Sequence, residues 1–161
     1  MAGFLLLLIA SCARVDEAQM RARLTQWFYI GDTLSFGASR GCAAAVFKLA
    51  DFQLKLAMPQ VQSVPQMLIS LSSRRVAALN DPTQPPDQSL VDLANAERTT
   101  GMRMRKVALE SRNCMDVRTE SAFSYALVDP LSVLAYDSEN ETLMLLYPRA
   151  GVLVVVMGSG E

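Results

Sequence analysis

Histidine is absent from all 161 residues of this chain. That absence removes Ser-His-Asp and Cys-His nucleophilic catalysis, the imidazole general base and most zinc sites. Charge is scarce too. Asp, Glu, Lys and Arg make up 19% of the residues, below the roughly 25% of an average soluble domain. With 15 basic and 16 acidic residues the net charge is −1, so no global field draws in nucleic acid. No apolar run approaches the ~20 residues a bilayer-spanning helix needs. The tight glycine cluster, Gly158-Ser159-Gly160, trails the last apolar segment with no helix after it to present amides to a phosphate. The nine methionines are scattered and read as pliable core filling. Neither a metal nor another cofactor is expected.

What is present points to a packed globule: hydrophobic residues reach 51% of the chain, too many for a disordered one. The amino terminus stands apart. Met1-Ala2-Gly3 leads into the apolar run Phe4–Ala10, the length of a signal-peptide core. Ile9-Ala10-Ser11-Cys12 follows as an aliphatic residue, two small ones and a cysteine. This resembles the lipobox of bacterial lipoproteins, although no Lys or Arg precedes Phe4. Either the initiating amine supplies that charge, or translation starts upstream of Met1.

The resemblance implies a leader of residues 1–11, lipid on Cys12, and residues 12–161 as one domain on a short tether. Acyl chains bury methylenes at about 0.8 kcal/mol each, and two or more chains hold a protein at a membrane. Ala13 follows the cysteine, where Asp would imply retention at the inner membrane. The implied address is therefore the periplasmic face of the outer membrane. The partners are then the membrane, through the anchor, and an unidentified envelope protein or polymer, with no nucleic acid. The alternative is a small cytoplasmic domain, with Phe4–Ala10 in its core.

Export gives the other two cysteines a meaning. Cys42 and Cys114 permit one pairing, and an oxidising compartment favours it. A catalytic thiolate is disfavoured, because no histidine is there to activate it.

Periodicity predicts an α+β fold with an antiparallel sheet. Met20, Leu24, Trp27 and Phe28 recur at helical spacing, giving a helix from Asp16 to about Ile30 that contributes aromatic side chains to a core. Thr33–Phe36 and Cys42–Leu49 read as a hairpin turning near Gly41, and Phe52, Leu54 and Leu56 alternate as in a strand. Pro65 opens a helix with Met67, Leu68 and Leu71 on its apolar side, and Arg75–Leu79 reads as a strand. The loop Asn80–Asp87 precedes the longest helical pattern, Gln88 to Asn113, and a shorter helix covers Val117–Leu127. Val133–Asp137, Thr142–Tyr147 and Val152–Met157, separated by short turns, form a three-stranded meander.

Two constellations sit on the long helical pattern. Arg98, Arg105 and Arg112 recur every seven residues, with Lys106 beside them, as a face able to grip an anionic group. Glu110 stands one turn from Lys106, which suits an ordinary solvated face. Glu97 falls among the apolar positions, between Leu93 and Gly101, as a candidate buried carboxylate whose pKa would rise without a partner. Gly101 weakens a helix by ~1 kcal/mol relative to Ala and marks a close approach to another element. These features favour a binding or scaffolding protein. A carboxylate hydrolase acting on a cell-wall polymer is the alternative, which requires a cleft with Glu97 or another acid beside a second carboxylate. Asp129, Asp137, Glu139 and Glu141 sit in a turn region where acidic residues are commonplace and single out no pair.

Overall fold

The computed structural model describes residues 15–159; the leader and Cys12 lie outside them. Among the described residues five helices and seven strands follow one another. The helices are α1 (Glu17–Leu24), α2 (Val64–Arg74), α3 (Pro86–Ala96), α4 (Arg98–Glu110) and α5 (Val117–Val128). The strands are β1 (Phe28–Ala38), β2 (Ala43–Leu54), β3 (Gln60–Val61), β4 (Val76–Leu79), β5 (Val133–Asp137), β6 (Thr142–Tyr147) and β7 (Val152–Met157). All strands lie in one sheet ordered β1-β2-β7-β6-β5-β4-β3. Every neighbouring pair is antiparallel except β3 and β4. The fold is α+β, and the predicted meander β5-β6-β7 occupies the middle of the sheet.

Both faces of this sheet are covered, which explains why its central strands are apolar throughout instead of alternating with polar residues. Successive side chains point to opposite faces. In β7, Val154 and Val156 join one core while Leu153, Val155 and Met157 join the other. The first core lies beneath α2, α3, α4 and α5, with Met67, Leu93, Met104 and Phe123 packed on Ala44, Leu143, Leu145 and Tyr136. The second lies beneath α1, where Met20, Leu24, Trp27 and Phe28 meet Phe47, Met144 and Leu146. Val15, the first described residue, packs on this second core. No helix among the described residues is long and apolar enough to cross a membrane.

Two predicted helices are corrected. The first stops at Leu24, and Phe28-Tyr29-Ile30 begin β1, where aromatic and β-branched side chains fit a pleated surface better than a helix. Phe28 instead pairs with Leu54 across the hairpin, and Trp27 and Phe28 remain core residues. The long pattern Gln88–Asn113 is two helices. It breaks at Glu97, whose backbone is extended at φ −143° and ψ 100°. Glu97 closes α3, its N–H donating to the Leu93 carbonyl, and caps α4 through its side chain. The apolar stripe reads as continuous across this break because α4 folds back along α3. Gly101 marks the predicted close approach: it faces Ala94 of α3, with no space for a β-carbon between them.

Cys42, just before β2, and Cys114, in the 3-10 turn Ser111–Cys114, lie at disulfide distance with their Cα atoms 6.0 Å apart. That separation falls within the range a disulfide requires. The pairing fastens the connection between α4 and α5 to the sheet. A second tie lies close by. The Ser35 hydroxyl of β1 donates to Asp116 Oδ2 at 2.7 Å. Asp116 Oδ1 in turn accepts the Thr119 amide at 2.7 Å, capping α5.

Candidate functional site: a groove between three helices

The layer of helices leaves an open groove where α3, α4 and α5 diverge. Its volume is about 430 Å³, within the ~300–1,000 Å³ typical of small-ligand sites. Buried Leu90 and Phe123 form the floor with half-buried Met115, Leu127 and Ala108, while Val91 and Leu109 stand exposed at its lips. Local sequence explains the gap. The α4 helix ends at Glu110 and the 3-10 turn diverts the chain to Cys114, so α5 starts displaced from the axis of α4. Met115, next to paired Cys114, is thereby held against the sheet side of the groove.

The basic stripe divides. Arg105 and Arg112 line the groove, whereas Arg98 and Lys106 do not. Lys106 pairs with Glu110 at 3.4 Å, the one-turn pair anticipated from spacing. Arg112 reaches Glu120 of α5 at 3.5 Å, with both side chains more than half exposed. Such pairs contribute little because water screens them. Arg105 has no ion pair or hydrogen bond among the described residues. Asp87 also lines the groove, but its carboxylate takes the Gln88 amide at 2.7 Å at the start of α3. There the positive end of the helix offsets its charge.

Glu97 is not the buried carboxylate expected of it. Its side chain is partly exposed and accepts the amides of Thr99 at 3.0 Å and Thr100 at 2.7 Å. The Thr100 hydroxyl and amide and the Thr99 amide hold its carboxyl below the usual range, the opposite of the expected rise. Hydrogen bonds to the charged form prevail because so little of the side chain is desolvated. It lines a separate, smaller cavity of about 180 Å³ with Arg75, Thr100, Arg103 and Tyr136, and no second carboxylate lies among that cavity's walls.

The described residues hold three buried carboxylates, Asp129, Asp137 and Glu141, and of these it is Glu141 that meets a phenol and a guanidinium together. It sits in the turn after β5 with positive φ (46°) and is 7% exposed. The Tyr136 hydroxyl donates to its carboxylate and the Arg103 guanidinium pairs with it. Burial pushes the Tyr136 hydroxyl up to about 12. Sequence reasoning missed this trio because Ser138-Glu139-Asn140-Glu141 reads as an ordinary polar turn. A usable signal existed in β5, whose alternation sends Tyr136 into the same core as Leu134, where a hydroxyl requires a partner.

Asp129 and Asp137 are engaged in pairs and turns. Asp129 accepts from Arg149 Nε at 2.5 Å and from the Leu131 amide at 2.9 Å. The Arg149 hydrogen bond is the main reason its carboxyl lies below the usual range. Asp137 accepts the Glu139 amide and the Asn140 side chain. Among the described residues no group of three or more His, Cys, Asp or Glu side chains is placed to hold a metal ion. No family model, no curated protein and no solved structure matches the chain, so the groove is read from its own chemistry.

Proposed function

We propose that this chain is an envelope lipoprotein, anchored through Cys12 at the periplasmic face of the outer membrane, that works by binding and performs no chemistry of its own. One observation carries the binding role: an apolar groove with arginines at its edge, on the sheet face opposite α1 and Val15. Ile9-Ala10-Ser11-Cys12 supports the anchor. The pairing of Cys42 with Cys114 suits an oxidising compartment. The hydrolase reading draws less support, because Glu97 caps a helix and Asp129, Asp137 and Glu141 are held by neighbouring donors.

Photo-crosslinking in the cell tests the binding role. A photoreactive side chain is placed at Leu109, on the groove lip, and in a second strain at Leu56, exposed in the segment after β2. The expected result is an adduct with an envelope component from Leu109 and none from Leu56. Absence of any adduct, together with cleavage of peptidoglycan by the purified chain that Glu97→Gln abolishes, would favour the hydrolase.

A further inference from the structure

Resting on that binding role, we propose that the occupant of the α3–α4–α5 groove is a single-chain amphiphile with an anionic head, of the fatty-acid class. Its hydrocarbon chain lies along Leu90, Met115, Phe123 and Leu127, and its carboxylate meets the Arg105 guanidinium at the lip.

Three observations select this occupant. The groove is concave with an apolar floor, and its six polar lining residues, Asp87, Gln88, Arg105, Arg112, Glu120 and Ser124, are all exposed, which is how sites for amphiphilic small ligands are built. A second copy of the chain fits poorly. Two such grooves set face to face would enclose empty space and forfeit the dispersion contacts that hold an interface together. The charges at the edge then decide the head group. Arg112 and Glu120 answer each other, Asp87 is offset at a helix start, and Arg105 is left uncompensated. The four charges at the edge sum to zero, but of the two arginines only Arg105 lacks an ion-pair partner among the described residues, so a carboxylate finds a partner there that a neutral alcohol and a quaternary ammonium do not.

Magnitudes agree with that order. Each methylene moved out of water contributes about 0.8 kcal/mol, so the chain supplies most of the affinity. Arg105 is exposed, so water screens its contact with the head, which contributes a factor of about two to five. Chain length therefore sets how tightly an amphiphile binds, and Arg105 sets which head is accepted.

The test uses the full chain carrying Cys12→Ala, so that covalent acylation plays no part, and a dansyl-labelled undecanoate as reporter. Palmitate, hexadecanol and hexadecyltrimethylammonium are compared as competitors. Palmitate is expected to displace the reporter severalfold more effectively than either hexadecanol or the ammonium. Arg105→Gln is expected to remove that preference while leaving hexadecanol unchanged. Ala108→Trp, which fills the groove, is expected to abolish displacement by all three. Circular dichroism confirms that each variant is folded, and Leu109→Ser serves as a second, milder groove variant expected to weaken palmitate severalfold.

Equal displacement by palmitate and hexadecanol, unaltered by Arg105→Gln, would overturn the proposal. So would an absence of reporter binding. If the reporter fails to bind while the Leu109 crosslink captures an envelope protein, the amphiphile is excluded and the binding role stands. If both fail, both are excluded.

Discussion

Gly101 of α4 lies directly against the backbone of Ala94 in α3, with no room for a β-carbon between them. Two opposing effects meet at this position. On an isolated helix, Gly101→Ala would gain about 1 kcal/mol of helix propensity. Here the added methyl must push the two helices apart, and overpacking of a close contact costs about 1–3 kcal/mol, sometimes more. The overlap is with backbone, which cannot rotate away. Gly101→Ala is therefore expected to lower stability by up to about 2 kcal/mol, read from urea unfolding. An increase in stability would mean that the two helices are not held this close.

The pairing of Cys42 with Cys114 spans a sequence separation of 72 residues. A closed loop of that size contributes roughly 4 kcal/mol by restricting the unfolded chain. Reduction, or the double change Cys42→Ala with Cys114→Ala, is expected to lower the melting temperature markedly. Because Met115 follows Cys114, the loss should also loosen the groove. Peptide mapping without reductant checks the premise: the fragments containing residues 42 and 114 must run as one.

Acid should loosen the β1–α5 contact. The Thr119 amide, then the Ser35 hydroxyl, hold the Asp116 carboxyl below the usual range. Its folded value is thus depressed below an unfolded value of about 3.9. Its contribution is complete above about pH 4 and is lost as the pH falls through the folded value. Asp129, Glu97 and Glu110 are shifted in the same direction. Melting temperature is expected to hold from pH 6 to about pH 4 and to fall below it. Asp116→Asn, which keeps an acceptor for the cap, should show a shallower fall.

Tyr136 gives the opposite limit. Its folded value of about 12 exceeds the ordinary 10.0, so the neutral hydroxyl is the form that the fold favours. The stability this represents is fully present below pH 10 and is lost as pH rises from there toward the folded value. In an ultraviolet titration, one of the four tyrosines is expected to ionise only near pH 12, together with unfolding. Tyr136→Phe should remove that late step and leave Glu141 with Arg103 alone.

Much of this architecture is legible from pattern. Strands β5, β6 and β7 match the predicted residues because short polar turns bound runs of strand-forming side chains. Helix breaks are less visible. Glu97 has high helix propensity, and the chain turns there with its side chain capping α4 and Gly101 packed on Ala94. Phe28 fits a helical face as well as it fits a strand, and pairing with Leu54 decides between them. At the groove, Arg105 and Arg112 stand out by their seven-residue spacing. Their separation from Arg98 and Lys106 depends on where α5 starts, and no local signal reports that. Glu141 was hidden for a similar reason: its partners Tyr136 and Arg103 lie on other elements.

Lipid on Cys12 would set where the protein works, and labelling with an alkyne analogue of palmitate tests for it most directly. Cells expressing the tagged chain are compared with cells expressing Cys12→Ala. Lipidation predicts label on the wild-type chain, recovery in the membrane fraction and a mature protein beginning at Cys12, with the variant unlabelled and uncleaved. Identical behaviour of the two, with an unlabelled mature chain still beginning at Met1, would contradict it.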